Sequence, residues 1–185
     1  MRTAVFSPCK RYRYTITIGW DDRLPRATII MTNPSTATDT EDDNTSSTCI
    51  NQCRHLGYGS ITLVNVCAYI STDPKALLAV ADPVGPENYA YLHGAIVSSD
   101  TIICAWGNIS KKWYSPVMAM LQGYSTMCFD ITKKGMPHHP LHRRRCDELS
   151  PYSYAIMIAR RLSELERKMA AQEERVASIE GKVRI

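Results

Sequence analysis

The chain has 185 residues, 44% of them hydrophobic and 22% charged, a composition that excludes whole-chain disorder and collagen-like order. A chain of this size buries roughly two-thirds of its unfolded surface, enough for a full core. No apolar run reaches the ~18 residues of a membrane span, the N-terminal MRTAVFSPCKRYRY has no apolar secretory stretch, and a net charge of +4 demands no polyanion; the expectation is a cytoplasmic protein with no membrane partner.

In chain order, Tyr12, Tyr14, Ile16 and Ile18 alternate with polar residues in a period-two strand ending at Gly19. Arg26–Met31 is a second strand, closed by Thr32-Asn33-Pro34-Ser35-Thr36, where proline removes a ladder donor. Asn44 or Thr45 is placed to cap a helix running to about Leu56, with Gly57 as its stop. Ser60–Val66 is a third strand, apolar except for Asn65. Asp73-Pro74 opens a helix through Val80, and Pro86-Glu87 opens another through Val97. Thr101–Ala105 is a strand closed by Trp106-Gly107, Lys111–Gln122 a helix, and Ser125–Phe129 a short strand. Apolar strands alternating with helices predict an α/β domain over residues 1–149. It would be a three-layer α/β/α fold with a mainly parallel sheet of four central strands.

In such a sheet ligands bind beyond the carboxyl ends of the strands. That rule selects Thr32–Thr36, Asn65–Tyr69 and Trp106–Asn108, with the loop Thr132–His142 as a fourth place. The acids Asp39, Asp42 and Asp43 lie just downstream of the first, and a basic edge is formed by Lys133, Lys134, Arg143, Arg144 and Arg145. Seven cysteines are scattered along the chain. Cys67, Cys104 and Cys128 lie in apolar runs and read as buried hydrophobes in a reducing compartment. Cys49 and Cys53 are one helical turn apart, but no second Cys/His pair answers them, so no metal site is expected there.

Several segments together resemble a known family. They are Met31–Ala37, Leu63-Val64-Asn65, Thr72-Asp73-Pro74, Ala81–Asn88, Ala105-Trp106-Gly107 and His139-Pro140-Leu141. Their order and spacing resemble the bacterial and phage family catalogued as domain of unknown function 1643, over roughly residues 10–145. A second resemblance is to the uracil-DNA glycosylase superfamily. Thr32-Asn33-Pro34-Ser35 is similar to its Asn-Pro or Asp-Pro loop, Val64-Asn65 to its base-reading strand, Ala105-Trp106-Gly107 to its Leu-Trp-Gly strand end, and His139-Pro140 to its His-Pro loop. No glycine precedes Asn33, a serine follows Pro34, and Leu141-His142 replaces Ser-Pro, so a modified base rather than uracil is the expected substrate.

This resemblance implies a glycosylase-like fold and a DNA partner, and the residue chemistry agrees with it. Cleaving an N-glycosidic bond creates a cation-like sugar and an anionic leaving base. Asn33 is suited to position the attacking water and Asp39, Asp42 or Asp43 to act as base, while His139 stabilises charge on the leaving base. Asn65 offers the donor and acceptor that read a base edge, with Pro34 and Ser35 shaping the pocket and Tyr69 or Trp106 stacking on a flipped base. No cofactor or metal ion enters this reading. Two alternatives are a non-catalytic module that holds a nucleotide or a partner, and a metal-dependent enzyme using Asp39, Asp42 and Asp43.

Residues 150–185 change character. Leu162, Leu165, Met169, Gln172, Val176, Ile179 and Val183 recur at spacings of three and four, a heptad seam. With Leu162, Met169 and Val176 at a and Leu165, Gln172 and Ile179 at d, the g positions are basic and the e positions acidic. That pattern predicts a parallel homodimeric coiled coil, with a trimer or a fold back onto the chain's own domain as alternatives.

Overall fold

The computed structural model describes residues 1–38, 40–142 and 146–183. Its strands are β1 (Arg2–Phe6), β2 (Arg13–Gly19), β3 (Arg26–Met31), β4 (Ser60–Asn65), β5 (Thr101–Cys104), β6 (Thr126–Cys128) and β7 (Ser150–Tyr152). Its helices are α1 (Asn44–His55), α2 (Asn88–Val97), α3 (Lys111–Met120) and α4 (Tyr154–Val183). The strands form one sheet in the order β1-β2-β4-β3-β5-β6-β7. Alternate side chains face opposite ways. Ile30, Val64 and Ile102 pack with Leu92 and Ile96 of α2 and Trp113 and Val117 of α3. Ile29, Leu63 and Ile103 pack with Cys49, Ile50 and Cys53 of α1. Helices therefore cover both faces of the central strands.

The architecture is α/β, but the mainly parallel, four-stranded sheet expected from the sequence is corrected. The sheet has seven strands and is mixed. The pairs β3–β4, β3–β5 and β5–β6 are parallel, whereas β1–β2, β2–β4 and β6–β7 are antiparallel. The reason lies in two kinds of signal. The alternation in β2 is the mark of a half-buried antiparallel strand, and β2 duly inserts between β1 and β4. Strands β1 and β7 carry no such mark: β7 is Ser-Pro-Tyr, which on its own reads as a chain break.

The pairing of β1 with β2 is interrupted by a bulge. Val5 pairs with Thr15 but Phe6 pairs with Arg13, leaving Tyr14 as the extra residue. Tyr14 then stacks on Tyr91 of α2, with ring centroids 4.7 Å apart, and Arg13 is turned towards the strand ends beside α1. The segment opened by Asp73 is shorter than expected, a 3-10 turn over Pro74–Leu78. The sheet and core also continue into the tail. Tyr152 and Met157 are buried with α3, and Thr126 Oγ1 donates to the Tyr152 carbonyl.

Candidate active site

A cleft of about 370 Å³ lies at the carboxyl ends of β3, β4 and β5. The loops after β3, β4, β5 and β6 and the start of α1 build it.

The first loop follows β3. Its Asn33 side chain donates from Nδ2 to two backbone carbonyls, Pro34 at 3.1 Å and Ser71 at 2.7 Å. Two carbonyl partners fix the amide orientation. Asn33 Oδ1 has no hydrogen-bond partner among the described residues, and the side chain lines the cleft with Ser35. Pro34 is buried behind this wall and accepts the Ser71 amide at 2.9 Å. Two arginines hold the rest of the loop. Arg13 Nη1 donates to Ala37 O at 2.8 Å, and Arg2 grips Thr38 O twice and Asp42 Oδ1 at 2.7 Å.

The second wall is the start of α1. Asp43 is its N-cap, one residue before the capping residues expected from sequence. Asp43 Oδ1 accepts from Ser46 N at 2.7 Å and from Ser46 Oγ at 2.6 Å, and Ser46 Oγ in turn accepts from Asp43 N, a reciprocal capping box. Among the described residues none donates a hydrogen bond to Asp43 Oδ2. Asp43 therefore lines the cleft with one oxygen anchored and one open, whereas Asp42 is spent on the ion pair with Arg2 and is not a lining residue. Asp39 lies outside the described residues.

The third wall is the loop after β6. Gly107 N donates to Pro137 O at 2.8 Å and His138 N to Asp130 O at 2.8 Å, which carries His139 to the cleft rim. His139 Nδ1 accepts from Leu141 N at 3.4 Å. Gly107 adopts a φ of +66°, a left-handed conformation natural to glycine, and its Cβ position would lie 3.8 Å from His139 Cβ. Trp106 contributes to the wall, but its indole is fully enclosed and edge-to-face with Tyr152 at 5.9 Å. Its carbonyl takes Thr32 Oγ1 at 2.6 Å.

The structure thus brings Asn33, Ser35, Asp43, Trp106 and His139 together. Asn65 and Tyr69 are elsewhere. Asn65 is fully buried with neither amide atom hydrogen-bonded. It stands in register with Met31 and two residues from Leu63, both cleft-lining, so it sits beneath the floor. Tyr69 packs edge-on against Tyr12 at 5.8 Å. Lys133 and Lys134 are exposed on the His139 loop, and Arg143, Arg144 and Arg145 lie outside the described residues. Among the described residues no three His, Cys, Asp or Glu side chains are grouped to hold a metal ion.

The cleft also contains a residue that sequence reading passes over. Arg13 is 2% exposed and, among the described residues, makes one hydrogen bond, through Nη1, while its buried Nε has no partner there. Burial pushes its pKa down to about 10, and Asp43 pulls the other way. It therefore stays a cation at neutral pH. Strand alternation places Arg13 on the outward side of β2, and only the bulge reverses it.

The segment from Arg13 to Leu141, which contains every residue lining the cleft, matches the family model described as Protein of unknown function (DUF1643). No curated protein and no solved structure matches the chain.

Proposed function

The chain belongs to the DUF1643 family, and we propose that it is a glycosylase-like hydrolase that cleaves the N-glycosidic bond of a modified base in DNA. The observation that carries this reading is the Asp43 carboxylate. One of its oxygens is fixed by the helix cap, and the other, with no donor among the described residues, lies on a cleft shared with a buried cation and an imidazole. Asp43 Oδ2 takes a proton from water as the water oxygen bonds to the sugar carbon. The sugar–nitrogen bond breaks, and its electron pair leaves with the base. Asn33 Oδ1, rigidly set by its two Nδ2 bonds, orients that water. Arg13 and Asp43 line the same cleft, and His139 donates to the departing base. The substrate base must leave the duplex stack to enter the cleft, and the exposed Lys133 and Lys134 on the same loop suit the phosphates beside it.

The test is to incubate the protein with DNA carrying a panel of modified bases, with and without EDTA, and to assay abasic sites. Asp43→Asn should lower the rate at least about a hundredfold, the usual contribution of a positioned base. Binding with no base release from any substrate would make the cleft a binding site. Release abolished by EDTA would assign the acids to a metal-dependent mechanism instead.

A further inference from the structure

Helix α4 runs for 30 residues, about 45 Å at 1.5 Å per residue, and the body of the protein covers only its beginning. Met157 is buried against α3 and Ile158 packs beside it. Arg161 ends this docked part, donating from Nε to Lys134 O at 3.0 Å and from Nη2 to Tyr114 Oη at 3.3 Å. Beyond it the apolar residues face solvent. Leu162 is 54% exposed, Leu165 56%, Met169 62%, Val176 49% and Ile179 63%. Five such residues on one stripe form a continuous apolar seam that the described residues leave exposed. Burying such a seam removes apolar surface from water and so favours association.

We infer that this seam is covered by α4 of a second copy of the chain, in a parallel two-stranded coiled coil. The charges flanking the seam identify the occupant. With Leu162, Met169 and Val176 at a and Leu165, Gln172 and Ile179 at d, the g residues are Arg161, Lys168, Arg175 and Lys182, and the e residues are Glu166, Glu173 and Glu180. A parallel partner sets each g beside the e five residues on in the other chain, joining Lys168 to Glu173 and Arg175 to Glu180 of the second copy. An antiparallel partner would set base against base and acid against acid, so repulsion specifies orientation as much as attraction does. The structure refines this pattern at its first step. Arg161 is committed to the body, so the zipper proper starts at Leu162. Lys168 lies 3.8 Å from Glu164 on its own helix, an exposed pair worth little and readily exchanged for the interchain one. Gln172 is the polar core position that fixes register. The fold back onto the chain's own domain, weighed above as an alternative, is not the arrangement in the structure.

Light scattering on the full-length protein at micromolar concentration tests the association. The expected mass is that of two chains, falling to one chain for Leu165→Glu. Leu165 is exposed in the single chain, so this substitution leaves the fold intact, and an unchanged circular dichroism spectrum and melting temperature of the body would verify that. Orientation is read from Ile179→Cys. Near the end of the seam, this cysteine meets its mate only in a parallel pair, so mild oxidation should convert most of the protein to a disulfide-linked dimer. A one-chain or three-chain mass for the wild type overturns the proposal, as does a two-chain mass without the cross-link at residue 179.

Discussion

At the scale of single residues, Asp43 caps α1 and, on the proposed function, also acts as the base, and one substitution series separates the two. Asparagine caps a helix about as well as aspartate, whereas alanine does not. Asp43→Ala should therefore lower stability by about 1 kcal/mol and abolish activity, while Asp43→Asn should abolish activity with little change in the urea midpoint. Equal midpoint losses in both variants would mean that the charge, and not the cap, matters to folding. Cys9 is a second residue with a sharp expectation. The Ser7 hydroxyl, with help from Arg11, brings its thiol down to about 7, and it is exposed while the other six cysteines are buried. Burial pushes the thiols of Cys53, Cys67 and Cys128 up to about 12. The thiolate is the nucleophile, so a thiol reagent should modify one cysteine per native chain, at a rate climbing as pH rises through about 7. Six more should react only after unfolding, and labelling of two or more native thiols would contradict this. Much of the site was legible at this scale. Asn33, Asp43 and His139 stand out because a turn, an acidic run and a His-Pro loop fall where a sheet end would gather them. Arg13 did not, because its position depends on a bulge formed by the partner strand, a contact that no local pattern records.

At the scale of elements, strands β3 to β6 and helices α1 to α3 follow from apolar runs and their punctuation. What could not be read was pairing that depends on distant chain. Strand β1 exists because β2 offers it an edge, and β7 because β6 does. The same holds for the docking of α4, which turns on Gly135. This residue has a φ of +74°, and a Cβ there would lie 2.5 Å from Met157 O. Gly135→Ala should cost about 1–2 kcal/mol through backbone strain alone, and the clash should lift the first turn of α4 off α3. A lower melting temperature and faster amide exchange around Met157 are expected. A melting temperature equal to that of the wild type would show that the approach is looser than described.

For the whole molecule, His139 at the cleft rim and the exposed Lys133 and Lys134 belong to one loop, so on the proposed function substrate capture should be electrostatic. DNA affinity is expected to fall with salt by about 0.9 log unit per log unit of salt for each phosphate neutralised. Replacing Lys133 and Lys134 by alanine should flatten that slope by about 2, without changing which base is released. A slope indifferent to both lysines would move the DNA path to another surface.

The antiparallel junction of β6 with β7 has a consequence in time. Strand β6 ends at Cys128 and its cover, β7, begins only at Ser150. At translation rates of 5–20 residues per second, the growing chain therefore carries a bare sheet edge for roughly 1–4 s. When β7 arrives it is three residues long with Pro151 at its centre, a strand too short and too poor in amide donors to recruit another. The interval in which nascent chains could pair along the β6 edge thus closes with the strand that covers it.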